Sequence, residues 1–261
     1  MRCAVVGHVE WVEFARVARV PAAGEIVHAT ETWSEPAGGG AVIARQLARL
    51  AGRCELYTVL GADALGLAAE QRLAELGVDV HAPREGPSRR AWTYVDSAGE
   101  RTITVLGEKL APEGPLPLHG YDAVFFVSGG PEAVRSAREA PFLAATMRQQ
   151  PTLHEAAVPI DLIVGSLHDE REAYDGTLDA ALVVQTDGSN GGLANGERFE
   201  AASIDGPIED TYGAGDSFGA ALAFALARGD SPADALALAA RAGAAVIAGS
   251  GPYETQLAFG A

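Results

Sequence analysis

Lysine is nearly missing from this chain: Lys109 is the only one in 261 residues. Lys and Arg together number 19 against 35 Asp and Glu, so the formal net charge is −16. A surface this acidic repels nucleic acid and anionic lipid, and neither is expected as a partner. It also weakens the case for a substrate that already carries phosphate, which needs clustered Arg or Lys. Most of the acidity reads as solubility. Cysteine is scarce too. Cys3 and Cys54 both lie in strand-like apolar runs and read as buried free thiols, as in a cytoplasmic protein. No apolar stretch approaches the roughly 20 residues that span a bilayer. The apolar run in residues 1–7 is too short for a signal peptide and reads as a first strand. No histidine follows His168, which matters below.

Hydrophobic residues make up 48% of the chain and charged ones 21%, enough apolar surface to bury a core. There is no internal repeat, low-complexity segment or long linker. Strands are expected at residues 3–6, 54–60, 78–80, 123–127, 162–164 and 182–184. Helices are expected after Gly38-Gly39-Gly40 to about Leu50, over residues 65–76, 132–138 and 142–148, and from Ser231-Pro232 to Gly249. Asn195-Gly196 signals a hairpin. Apolar strands alternating with helices indicate a mostly parallel sheet covered on both faces, with ligands at the strands' carboxyl ends. Residues 25–33 and 92–106 break that rhythm and read as polar-faced strands.

The most informative stretch is Asp210-Thr211-Tyr212-Gly213-Ala214-Gly215-Asp216, followed by an apolar run to Ala227. Small residues at 213–215 permit a tight turn into a buried helix. The free N–H groups and dipole of a helix start then form a site for phosphate. A carboxylate there would repel phosphate. Asp216 makes sense if it takes a proton from a hydroxyl that attacks the phosphate. Gly215-Asp216-Ser217-Phe218-Gly219 also spells the G-x-S-x-G nucleophile elbow. That reading lacks an apolar strand before Ser217 and any histidine after it.

The 210–216 spelling resembles the second signature of the ribokinase-like (PfkB) carbohydrate kinases, D-T-x-G-A-G-D. The resemblance implies that Asp216 is the catalytic base and that the backbone of Gly213, Ala214 and Gly215 forms the anion hole. Gly38-Gly39 before a helix looks like the first signature. Gly61-Ala62-Asp63-Ala64-Leu65-Gly66 looks like the family's G-x-D-x-x-G turn. Thr186-Asp187-Gly188-Ser189-Asn190-Gly191 is similar to its T-x-G-x-x-G segment near the nucleotide. The implied fold is a single α/β domain over residues 1–261: three α/β/α layers, a mostly parallel sheet and a small β lid from segments near 9–36 and 88–108. The implied cofactors are ATP and magnesium, with a potassium-like cation near Asp210 and the Tyr212 backbone. Thr186, Gly188, Gly191 and Thr211 are the expected nucleotide residues. The family's magnesium-organising N-x-x-E is read at Ser166-Leu167-His168-Asp169, with Asp169 as the carboxylate. A homodimer through the lid is a further expectation.

The departures bear on the substrate. Glu10, Val12, Gly38, Gly39 and Ile43 are the expected substrate positions. Val12 stands where sugar kinases of the family carry Asp, and Ile43 where they carry Asn. A third polar group would fall near Gly129 or Gly130. Buried hydroxyls without partners cost about 1–3 kcal/mol each, so ribose bound in the usual manner is not expected. Glu10, Glu13 or Arg101 could supply polar contacts instead. The resemblance implies ATP-dependent phosphorylation of a hydroxyl on a small sugar or sugar-like substrate. A nucleoside kinase of the same fold, and a binding or regulatory protein without turnover, stay open as alternatives.

Overall fold

In a computed structural model of the chain, residues 1–204 and 206–259 are described. The strand β1 (Cys3–Val6) is buried along its whole length, as its unbroken apolar sequence demands. Its alternate side chains feed two different cores. Cys3 and Val5 pack under α1 (Gly39–Ala51), α5 (Ala214–Arg228) and α6 (Pro232–Val246). Ala4 and Val6 pack on the other face with α3 (Pro131–Ala137) and α4 (Gln150–Ala156). Nine strands form this central sheet, in the order β13-β12-β11-β10-β9-β8-β1-β4-β5. The expected three layers are therefore present.

On one side of β1 lie β4 (Cys54–Tyr57) and β5 (Val78–His81), with α2 (Ala64–Glu75) between them in sequence. On the other lie β8 (Ala123–Phe126), β9 (Phe142–Thr146), β10 (Ile160–Ser166) and β11 (Ala180–Thr186). All of these pairings are parallel. The antiparallel β12 (Gly192–Ala194) and β13 (Glu197–Phe199) close one edge. Their turn holds Asn195 and Gly196 at φ 48° and 86°, the two positive values that a type I′-like hairpin needs. Strand order reverses at β1, so a crevice opens at its carboxyl end.

A separate four-stranded sheet, ordered β3-β2-β6-β7, forms the lid. It comprises β2 (Glu10–Arg16), β3 (Glu31–Ala37), β6 (Arg90–Val95) and β7 (Arg101–Leu106). The β2–β6 pairing is parallel and the other two are antiparallel. Lid strands thus form within both expected segments, although β3 starts at Glu31 rather than near residue 25. On β2 the alternation places Val12 and Phe14 toward the body. Phe14 stacks on Trp33 at 4.9 Å and meets the Tyr212 ring edge-on at 5.2 Å.

One expected element is wrong. Residues 142–146 form β9, not a helix. Leu143, Ala144, Ala145 and Met147 suit a helix on propensity alone. A five-residue apolar run cannot be assigned by periodicity, and here the gap between β8 and β10 takes it as a buried parallel strand. The helix starts later, at Gln150, on the far side of Thr146.

Phe14→Ala should destabilise the protein by about 3–5 kcal/mol, as a large buried aromatic at a packed junction does. Urea unfolding read on tryptophan fluorescence checks this. A loss under about 1 kcal/mol would mean that the lid does not unfold together with the body.

Candidate active site

The crevice is built by backbone contact. A Cβ on Gly7 would lie 2.9 Å from the Gly40 Cα, and one on Gly40 would lie 2.6 Å from the His8 carbonyl oxygen. Only glycines let the end of β1 cross the start of α1 this closely. The crossing brings the Gly38–Gly39 turn over the start of α5. A Cβ on Gly39 would sit 3.3 Å from Asp216 Oδ1.

Asp216 lies in the first turn of α5, where the unpaired N–H groups point. It is only partly open to solvent, yet protein surrounds its carboxyl. Burial pushes that carboxyl up to about 6. Arg101 works against the shift, Glu172 adds to it, Arg148 opposes it and Glu10 adds again. A carboxylate so placed holds or releases a proton near neutrality. Beside it, the Ala214 N–H has only a long 3.5 Å contact to the Thr211 carbonyl. The turn itself needs glycine at one place. Gly213 has φ 84°, and an added Cβ would meet Pro252 at 3.0 Å and Val42 at 3.1 Å. Gly215, by contrast, is an ordinary helical residue, and its Cβ would meet nothing within 4 Å. The tight turn read over all three small residues therefore rests on Gly213.

Asp210 is tied to the protein's own backbone. It is fully buried, and its two oxygens accept from the backbone N–H groups of Tyr212 (2.8 Å) and Gly251 (3.0 Å). Burial raises its carboxyl, and those two bonds partly offset the rise. Asp210 pins the turn. Arg101 donates to the Thr211 carbonyl at 2.9 Å and to its hydroxyl at 3.3 Å, tying lid strand β7 to the signature.

Asp169 is likewise engaged within the protein. It pairs with Arg148 and accepts from the Arg171 N–H at 2.9 Å, capping a short 3-10 turn. Glu172, which sequence reasoning missed, pairs with Arg148 at 3.0 Å and accepts from the Ser166 N–H at 2.8 Å. Its charge reaches Asp216. The signal was in the sequence: Asp169-Glu170-Arg171-Glu172 fits N-x-x-E with Asp for Asn, three residues beyond Ser166. Among the described residues no group of three or more His, Cys, Asp or Glu could hold a metal. With both carboxylates engaged by Arg148, these residues do not fit a protein-held magnesium.

Of the expected nucleotide positions, Thr186 ends β11 and Gly188 and Gly191 follow it, while Thr211 lies in the turn before α5. The Thr186 hydroxyl donates to the Gly165 carbonyl at 3.3 Å. Gly191 backs onto the β13 edge, and Gly188 faces open space. On the substrate side, Val12 is 0% and Ile43 1% exposed, each inside an apolar core, so neither meets a ligand in this packing. Glu13 pairs with Arg90 on the far face of the lid. Glu10 faces inward beside Gly38, with His8 and Arg89. Ser128, next to the expected Gly129, bonds His8 Nδ1 at 3.0 Å. The rival Ser217 is fully buried and accepts from Gln256 at 3.3 Å, so no nucleophile elbow exists.

A lidded three-layer α/β fold with a partly buried carboxylate at a helix start defines the class of protein. A family model, pfkB family carbohydrate kinase, matches residues 1–126 and 150–257. The chain belongs to that family, and is a carbohydrate kinase. No curated protein matches it significantly. Solved structures agree in fold. Ribokinase from Thermotoga maritima is 21% identical, with 98% of this chain and 96% of that one covered and a TM-score of 0.79. Arabidopsis thaliana ribokinase, complexed with ribose and ATP, is 20% identical over 97% and 95%, with a TM-score of 0.75. A nucleoside kinase from Methanocaldococcus jannaschii is 17% identical over 98% and 94%, with a TM-score of 0.77.

The two glycines should separate in mutants. Gly213→Ala should lower stability by about 1–3 kcal/mol through left-handed strain and the Pro252 contact. Gly215→Ala should keep or raise stability, by up to about 1 kcal/mol. Thermal unfolding of both variants checks the pair, and equal losses would contradict this reading of the turn.

Proposed function

We propose that the chain transfers the γ-phosphoryl group of ATP to a hydroxyl of a small sugar or sugar-like molecule, with Asp216 as general base. The observation that carries this is the Asp216 carboxyl, partly buried at the free N–H groups of α5 and facing the Gly38–Gly39 turn. The acceptor hydroxyl would lie between them. Asp216 would take its proton as the oxygen attacks, and the amides at 213–215 would stabilise the negative charge on the transferring group. Arg101 and Arg148, the two cations whose fields reach Asp216, would keep the carboxylate ionised enough to act.

Thr186, Gly188, Gly191 and Thr211 are the proposed nucleotide contacts. Magnesium would arrive with the nucleotide phosphates. The lid would exclude water, so that ATP is not hydrolysed. Trp92 and Leu106, exposed on the outer face of the lid, support the expected homodimer through it. We place the protein in the cytoplasm. No helix among the described residues is long and apolar enough to cross a membrane.

A nucleoside acceptor is the second reading. Ile103 and Val105 share the body-facing side of β7 with Arg101, and both are about two-fifths exposed there. They could cover the face of a base. A binding protein without turnover would have little use for Asp216.

Asp216→Asn should lower kcat by on the order of 10²–10⁴-fold with the fold intact. The wild-type kcat/KM should fall about tenfold per pH unit below about 6, as the base becomes protonated. Stability should move the other way. A carboxyl raised in the folded state is unfavourable when ionised, and that penalty is complete above about 6 and absent below 3.8. The Asn variant should therefore gain on the order of 1 kcal/mol at pH 8 and lose the gain toward pH 4. Phosphoryl transfer to sugars, polyols and nucleosides, read by coupled assay, decides the first two points, and thermal melts across pH decide the third. Near-normal turnover in the variant would remove Asp216 as the base.

A further inference from the structure

We infer that the acceptor carries a carboxylate, and that Arg89 and Lys109 grip it at the end of the pocket away from Asp216. The inference rests on the kinase reading for the location of the pocket and adds the chemical class of the acceptor.

Arg89 precedes lid strand β6. Its Nε lies 3.0 Å from Glu10 Oε1, but at an angle that makes no hydrogen bond, and this buried nitrogen has no other partner. Among the described residues its two Nη groups have no hydrogen bond either. A guanidinium offers five donors in a fork that fits a carboxylate with two parallel bonds. The Nε is buried without a hydrogen bond, and the two Nη groups, which have no protein partner among the described residues, stay open to an acceptor that arrives with the ligand. Glu10 then acts as a positioning residue. It is almost closed to solvent, and it holds the base of Arg89 from one side while His8 Nε2 lies 3.4 Å from the same carboxylate oxygen. Burial alone would raise the Glu10 carboxyl, but His8, Arg89 and Lys109 outweigh it and keep it ionised. Burial also holds His8 below its ordinary value, so it is neutral at pH 7.

Lys109 supplies the second cation. The chain leaving β7 passes close to Arg89, since a Cβ on Gly107 would touch the Arg89 Cα at 4.0 Å, and Lys109 follows two residues later. Its ammonium has no ion pair among the described residues, and both burial and the Arg89 charge lower it. Two cations against the Glu10 carboxylate leave one positive charge, which suits one carboxylate. A phosphate dianion would meet Glu10 more unfavourably.

The spacing also fits. Gly38 lies against His8 and Glu10, at 3.2 and 3.3 Å from an added Cβ, and Gly39 lies against Asp216. Adjacent Cα atoms are about 3.8 Å apart, so the charged cluster and the base flank one turn. A short hydroxy acid of a few carbons reaches from one to the other.

The test uses the full chain and matched pairs: ribose with ribonate, arabinose with arabinonate, glucose with gluconate. Calorimetry reads binding, and a coupled assay reads phosphoryl transfer from ATP. At least one acid should bind on the order of tenfold or more tightly than its neutral partner, with the preference falling as salt rises. Arg89→Gln should abolish the preference, and Lys109→Gln, which breaks no ion pair among the described residues, should reduce it several-fold. If Arg89→Gln unfolds because Glu10 is left unpaired, the double variant Arg89→Gln/Glu10→Gln removes both charges and should abolish the preference likewise. No acid binding better than its neutral partner, or equal losses for both in the variants, would overturn the inference. Acid preference without phosphoryl transfer would sink the kinase reading and leave this one standing. Efficient transfer to the neutral sugars alone would do the reverse.

Discussion

Tyr212 joins three segments that are far apart in sequence. Its backbone N–H donates to Asp210. Its hydroxyl accepts from the Gly38 N–H at 3.3 Å. Its ring meets Phe14 of the lid. The turn into α5, the turn into α1 and the lid are therefore held by one buried side chain. Without it, the Gly38–Gly39 turn would not be fixed over Asp216, and the lid would lose its apolar seat on the body. Burial in the aromatic cluster is the driving force, and the polar ends of Tyr212 are satisfied where they stop.

Charge in this protein is organised against its average. The chain is strongly acidic, yet four cations lie around the crevice: Arg89, Arg101, Lys109 and Arg148. The three arginines are each set against a different element of the site. Arg101 ties β7 to Thr211, Arg148 clamps Asp169 and Glu172, and Arg89 stands beside Glu10. The acidic remainder keeps the surface soluble. In a cleft of low dielectric, a few fixed cations outweigh many distant solvated carboxylates. The composition argued against clustered cations, and the fold assembles them.

Much of the fold was legible in residues 1–60 and 210–249. There the glycines, the apolar runs and the Ser231-Pro232 helix start agree with one another, and local preference coincides with tertiary need. Legibility failed where one rule had to choose alone. Residues 142–146 suit a helix by propensity but fill a strand's place in the sheet. Glu172 stayed hidden because a three-residue shift of a short motif changes which carboxylate faces Asp216, and spacing cannot tell the two registers apart. Val12 and Ile43 were placed by their sequence positions as a pocket wall. Both belong to apolar cores, which is the ordinary destination of such side chains.

The sequence by itself determined the alternation of strands and helices, the glycine at 213 and the carboxylate at 216. These are local matters: a left-handed turn needs glycine, and a helix start exposes its N–H groups wherever the chain goes next. Only the tertiary structure decided which groups face that carboxylate. Glu10 comes from the start of the lid, Arg101 from its last strand, Arg148 from the turn between β9 and α4, and Glu172 from a turn after β10. Their meeting depends on strand order and on the parity of each strand. A shift of one residue turns a side chain to the opposite face, as Glu10 and Glu13 demonstrate on the same strand.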